Sequence, residues 1–280
     1  MHKSGKWAKQ LLALQEPDGK WGCFHSLSQF CASPITTEQA LRRLERLGFT
    51  MEDECIQRAV SYMDDCLTGK SAIPDRREKS HNWDLFTAMM LSTWIRRFTP
   101  DNETANAVAG QWAGIVTQAF CSGTYDHNAY VAAFQNTWGH KPYGGRFVDF
   151  ASFYQISMLR DCLSDETAAA LLDYVLMKDD GIYYVFDKSL LVLPECFDSR
   201  ESSRYLAAIE LLAQYPNAGV KLVFVRDWLM ENRRADGSWD MGSVVNDQIY
   251  FPLSDDWRRK ESRWLDCTER IGALLAKLEV

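Results

Sequence analysis

Along most of the chain apolar residues recur at intervals of three and four, the spacing of one face of an α-helix. In 37–47 (TEQALRRLERL) Ala40, Leu41, Leu44 and Leu47 fall on one side with charges opposite. The segment 82–97 is apolar nearly all round, which predicts a more deeply buried helix. The same reading predicts helices over 104–120, 149–162, 165–177, 202–214, 220–232 and 261–278. Cap chemistry marks several starts: Thr50 ahead of Glu52 and Asp53, Ser164 ahead of Asp165 and Glu166, and Pro100-Asp101. Strand signals are confined to 181–186 (GIYYVF) and 188–193 (KSLLVL), which read as short strands or irregular loop. The fold class is therefore all-α, with no low-complexity linker to divide the chain.

The helices are punctuated by a repeated turn. Near the start stands Leu11-Leu12-Ala13-Leu14-Gln15-Glu16-Pro17-Asp18-Gly19-Lys20-Trp21, and near the end Trp228-Leu229-Met230-Glu231-Asn232-Arg233-Arg234-Ala235-Asp236-Gly237-Ser238-Trp239. Both read as a helix end followed by Asp-Gly-x-Trp. Weaker copies surround Gly69, Gly123 and Gly181, so the turn returns every 50 to 58 residues or about that, room for two helices and two connections. Each part has a physical task. Glycine takes the left-handed conformation that ends a helix, and the aspartate before it bonds local backbone. The aromatic ring two residues on folds back over the helix end, and a Gln on the last turn bonds freed backbone groups.

Gln-x-x-x-Gly-x-Trp at Gln15, Gly19 and Trp21 resembles the QW repeat of squalene and terpenoid cyclases, shared with the β subunits of protein prenyltransferases. The later copy keeps Gly237 and Trp239 but has Arg233 at the Gln position. The resemblance implies a single α/α toroid over residues 1–280: five to six helix hairpins in two concentric rings around a cavity. It also implies an isoprenoid or similarly apolar substrate.

The chemistry of that superfamily does not carry over with the repeat. Asp-Asp pairs stand at 64–65, 179–180 and 255–256, but none completes the acid motif of class II cyclases or the magnesium motif of class I synthases. The prenyltransferase zinc helix is matched at Asp149, but its cysteine position is Ala151. No cofactor is expected: zinc has no ligand set, and magnesium would enter only with a bound diphosphate. In the family, inner-helix starts face the cavity. Mapped here they offer His81, Asp84 and Asp149 as acid–base candidates and Trp83, Tyr154, Arg200, Arg204, Arg263 and Trp264 as substrate-binding candidates. His81 and Asp84, three apart, share a helix face. Arginines over an aromatic bowl suit a phosphate or carboxylate head group. The same residues could instead form an inter-repeat network of Glu201, Arg204, Glu261 and Arg263. Asp126-His127 reads as a solvated loop, and 135–147 (QNTWGHKPYGGRF) as either a glycine-hinged lid or a fixed plug.

Charge and composition narrow the partners. The net charge of −7, with no basic block, argues against nucleic acid. No apolar stretch is long enough for a transmembrane helix. Eight scattered cysteines without Cys-x-x-Cys spacing, and no secretory leader, suggest reduced thiols and a cytoplasmic location. The expected partner is an apolar or prenyl-type small molecule, enzymatically converted or only bound. The alternative is a non-catalytic toroid that binds a peptide, protein or lipid.

Overall fold

In the computed structural model, which describes residues 2–26 and 33–279, the chain folds into twelve α-helices and two 3-10 turns, with no strand among the described residues. Its contacts divide it into two compact units, Met1–Ala109 with Gln248–Asp255, and Gly110–Asp247 with Asp256–Val280.

The first unit holds α1 (Lys6–Ala13), α2 (Thr37–Arg46), α3 (Glu54–Leu67), α4 (Trp83–Phe98) and the start of α5 (Glu103–Ala119). A capping box opens α2: the Thr36 hydroxyl accepts from the Gln39 N–H, and the Gln39 side chain accepts from the Thr36 N–H. Its apolar stripe is buried as the periodicity requires. The fully buried Phe86, Met90 and Trp94 make α4 the core helix, packed along α3. The distant segment 248–255 completes this unit. Its Ile249 and Pro252 carbonyls accept from the buried Arg43 guanidinium, and Ser254 and Asp255 accept from the Trp7 indole (3.0 Å) and the Lys6 N–H (2.7 Å).

The second unit holds the rest of α5, then α6 (His127–Trp138), α7 (Phe153–Met158), α8 (Asp165–Met177), α9 (Arg200–Leu212), α10 (Ala218–Lys221), α11 (Val223–Glu231) and α12 (Lys260–Leu278). Every residue of the short α7 is buried. α12 is tied to α9 by Arg270, which donates to Glu210 (2.6 Å) and to the Ser203 hydroxyl and carbonyl (2.8 Å each).

Three sequence expectations change. Helix α6 occupies the Asp126-His127 region expected as loop: Asp126 is its N-cap, accepting from the Asn128 and Ala129 N–H groups. The helix expected over 149–162 shortens to α7, and that over 220–232 is broken at Leu222 into α10 and α11. Of the two readings of 181–186 and 188–193, irregular loop holds; among the described residues only the isolated pairs Ile182–Phe186 and Ser152–Tyr183 bridge.

All five turn glycines, Gly19, Gly69, Gly123, Gly181 and Gly237, have positive φ. The first and last turns share their main hydrogen bonds. The Trp21 indole N–H donates to the Leu11 carbonyl (2.8 Å), and that of Trp239 to Leu229 (2.7 Å), in each case ten residues back. Gln15 donates to the Gly19 carbonyl and Arg233 to the Gly237 carbonyl, both at 2.9 Å. The Trp21 and Trp239 backbone N–H groups donate to the hydroxyls of Thr37 and Thr268. Arg233 thus does the work of the Gln it replaces, and its guanidinium also lies over the Trp239 ring, 5.2 Å from the centroid.

Candidate functional site

In the first unit the start of α4 carries His81, Trp83 and Asp84. Asn82 caps the helix, leaving His81 just outside it. His81 is buried, with Nδ1 3.0 Å from the Ser80 hydroxyl and its ring edge-on to Phe86. Trp83 is buried beside it. Asp84 points outward, its side chain 72% exposed, and accepts from Arg77 at 2.7 Å. The expected His81–Asp84 pair therefore has its two members in opposite environments.

The structure assembles a different pair there. His25 Nδ1 lies 3.1 Å from the Glu38 carboxylate, both side chains nearly buried. Glu38 also accepts from Arg42 (3.2 Å) and from the Trp94 indole (3.3 Å). Burial alone would push the Glu38 carboxyl up, but the hydrogen bond from His25 and the Arg42 charge hold it below the ordinary range. The His25 ring rests edge-on against Phe86, as does that of His81. Asp75 fixes the backbone under His25, accepting from the consecutive N–H groups of Phe24, His25 and Ser26 at 2.5–3.0 Å. Sequence reading missed this pair because Glu38 and Arg42, four apart on α2, look like a solvated helix pair. The available signal was Glu38 falling on the buried edge of the apolar stripe.

In the second unit Asp149 accepts from the Ala151 N–H (2.8 Å), the Tyr174 hydroxyl (3.0 Å) and Lys178 (2.7 Å). Lys178 also reaches Asp180. Burial works against the Lys178 charge, but the two carboxylates outweigh it and raise its pKa, so the ammonium persists and compensates Asp149. The Tyr125 ring lies tilted against that of Tyr174, centroids 4.3 Å apart, its hydroxyl 2.9 Å from His127 Nδ1; burial, then the Asp149 charge, push its phenol up to about 12. Tyr154 is buried against Phe153 and Tyr184. The segment 135–147 begins inside α6, has Gly139 as the left-handed cap of that helix and exposes Tyr143, while Phe147 is buried with its carbonyl accepting from Tyr130 (3.0 Å). A groove of about 300 Å³ between Phe120, Cys121 and Thr167 includes none of the catalytic or substrate-binding candidates.

At the start of α12 Arg263 grips Asp240 with two bonds of 2.6 and 2.7 Å, and the Trp264 indole donates to the same carboxylate at 2.7 Å. Burial opposes the Asp240 charge, but Arg263, the Gly242 N–H and Trp264 together hold it at about 2. The Arg234 guanidinium covers the Trp264 ring, 3.7 Å from its centroid. Arg200 donates to the Val244 carbonyl. Arg204 is exposed and in no ion pair among the described residues, and Glu201 pairs with Lys188. The network expected among Glu201, Arg204, Glu261 and Arg263 does not form; Asp240, just after the Trp239 turn, captures Arg263 instead.

No family model, curated protein or solved structure matches the chain. Among the described residues no group of three His, Cys, Asp or Glu side chains could hold a metal ion, and no helix is long and apolar enough to cross a membrane. The expectation of uniformly reduced thiols needs correction: Cys23 is disulfide-bonded, while Cys55, Cys66, Cys121, Cys162, Cys196 and Cys267 are free. Cys31 lies outside the described residues.

The arrangement limits the chemistry. Asp84, Asp149 and Asp240 each face a cation, and at Asp240 the Arg263 partner helps hold the carboxylate ionised. An imidazole and a carboxylate meet beside aromatic rings in two places, His25 with Glu38 at 3.1 Å and His81 with Glu78 at 3.7 Å, both against Phe86.

Proposed function

We propose that this chain is a divergent α/α toroid of the terpenoid cyclase and prenyltransferase type, spanning residues 1–280, that binds an isoprenoid or similarly apolar small molecule. The observation that carries the reading is the repeated turn: Gln15–Trp21 and Arg233–Trp239 form the same hydrogen bonds although their polar residues differ. The cation-paired aspartates favour binding over cyclisation.

The test is a thermal-shift titration with prenyl alcohols and the matching diphosphates, with and without magnesium or zinc. A ligand at one hundred times its dissociation constant adds about 2.7 kcal/mol of stability. Because Arg263 is already engaged by Asp240, alcohols and diphosphates should shift the melting temperature comparably. Absence of a shift with every ligand would sink the small-molecule reading.

A further inference from the structure

Three consecutive backbone N–H groups, those of Phe24, His25 and Ser26, converge on the Asp75 carboxylate at 2.5, 2.9 and 3.0 Å. Successive N–H groups aimed at one place make an anion-binding concavity, and here a carboxylate of the chain itself fills it. The concavity is held from its other side by α2. The Cys23 and Phe24 carbonyls accept from the Thr37 and Glu38 N–H groups in the first turn of that helix, at 2.9 and 3.0 Å. The Phe24 and His25 N–H groups belong to those same two peptide units. Each therefore sits in a hydrogen-bond chain running from the start of α2 to the carboxylate, in which every bond polarises the next. The positive end of the helix is in this way carried outward to the anion. The flanking backbone is equally fixed: the Trp21 N–H donates to the Thr37 hydroxyl at 2.9 Å, the Gly22 N–H to Glu16 at 2.7 Å, and Trp21, Cys23 and Phe24 are buried.

The carboxylate arrives on a segment held far less firmly. Between α3 and α4 the chain runs through 68–82 without helix or strand, and no residue of 68–80 is buried. An irregular connection of this length is uncommon in a packed unit unless it serves a function. Without buried apolar contacts it belongs to the parts of a fold that open first. Near its start the Ser71 N–H donates to the Asp65 carbonyl and Lys70 pairs with the Asp65 side chain. Near its end Arg77 pairs with Asp84. Both ion pairs join largely exposed side chains, and such pairs hold little. From Ala72 to Arg76 every hydrogen bond to another segment, among the described residues, is made by the Asp75 carboxylate.

We propose that the 24–26 backbone is a binding site for an oxyanion, the phosphate or carboxylate group of a small molecule, and that 68–80 is a strap that closes it with Asp75 as an internal ligand. The Ser26 hydroxyl, 3.4 Å from the Asp75 carboxylate, supplies a fourth donor. A free oxyanion competes with a tethered carboxylate that acts at the effective concentration its strap sets, so entry into the native chain is weak and removal of the carboxylate strengthens it. Entry displaces Asp75 and frees the strap. The inference stands apart from the small-molecule reading, and its test uses no prenyl ligand, so either can fail alone.

The test follows the amide resonances of Phe24, His25 and Ser26 in the isotope-labelled full chain. Inorganic phosphate and acetate are titrated separately, against chloride at matched ionic strength. Asp75→Ala removes the internal ligand, and Asp65→Asn removes a carboxylate at the root of the strap that bonds Lys70 instead. The expected result is a saturable shift of the three amides in Asp75→Ala with at least one of the two anions. Its dissociation constant should lie about tenfold or more below those of the native chain and of Asp65→Asn. The anion that binds more tightly names the head group. The proposal is overturned if Asp75→Ala, folded by circular dichroism, shows no saturable shift, if it binds no more tightly than the native chain, or if chloride acts equally. The native chain gives a second readout that needs no substitution. Trypsin cleavage after Arg76, Arg77 and Lys79 should run faster in concentrated phosphate or acetate than in chloride, as Asp75 is displaced, and equal rates would overturn the proposal.

Discussion

At the residue scale, the two outer turns separate what geometry demands from what identity supplies. Gly19 and Gly237 share the left-handed conformation, with φ 98° and 86°, but their surroundings differ. A Cβ on Gly19 would meet the Arg58 carbonyl at 2.5 Å, whereas on Gly237 it would meet the flexible Arg233 guanidinium at 3.0 Å. Gly237→Ala should cost about 1–2 kcal/mol, the penalty of the backbone conformation, and Gly19→Ala about 3 kcal/mol or more, because helix backbone must also shift. Urea denaturation of the two variants checks the order; equal losses would refute it. Asp240 makes a pH prediction. Its folded pKa of about 2 lies below the ordinary value of 3.8, so its contribution is complete above that value and is lost as pH falls toward 2. Allowing for partial solvent screening, the stabilisation is about 1–2 kcal/mol. The stability gap between the native chain and Asp240→Asn should therefore narrow between pH 5 and pH 2.5, roughly the window in which the carboxylate protonates. Part of this scale was legible beforehand. Gln15, Gly19, Trp21, Gly237 and Trp239 could be placed because a turn is local. Asp240 could not be matched to Arg263, nor His25 to Glu38, because pairing across elements depends on packing that no spacing rule supplies.

At the element scale, strongly periodic segments such as 37–47, 82–97, 104–120, 165–177 and 261–278 became helices with ends close to those expected, since apolar residues three and four apart come together on one buried surface only in a helix. The miss at α6 has a plain cause. Its sequence, HNAYVAAFQNTW, contains no charged pair, and His, Asn and Thr resemble loop. What makes it a helix is the set Tyr130, Phe134 and Trp138 at every fourth position, which brings adjacent rings together: Tyr130 and Phe134 at 6.0 Å, Phe134 and Trp138 at 4.6 Å. The helices of the second unit also depend on a buried charge. Arg270→Met would leave Glu210 close to apolar surroundings without its guanidinium, and should destabilise by about 3–5 kcal/mol. Adding Glu210→Leu should restore most of the loss. Thermal melts of the two single variants and the double variant decide: additive losses would show that the α9–α12 contact does not rest on this pair.

At the scale of the whole molecule, the chain order and the spatial units do not coincide. Residues 248–255 belong with the first hundred or so residues, and no motif in their sequence announces it: Tyr250, Phe251 and Leu253 are buried although they lie outside every helix the periodicity predicts. The segment supplies the carbonyls that receive the Arg43 guanidinium, along with the acceptors for Lys6 and Trp7. A fragment ending at Ala109 should therefore show helical circular dichroism but few dispersed amide resonances. Addition of a peptide spanning 248–255 should sharpen its spectrum. A well-dispersed spectrum from the fragment alone would show that the segment is dispensable. This arrangement also gives protein synthesis a fixed timetable. The first unit cannot be completed until residue 255 has left the ribosome, about 146 residues after Ala109. At roughly 5–20 residues per second that is a wait of about 7–30 seconds. Throughout it Arg43, Trp7 and the Lys6 N–H wait for the acceptors that 249–255 supply, so the nascent chain, rather than the finished protein, is the form most exposed to chaperones and to premature association with its neighbours on the same message.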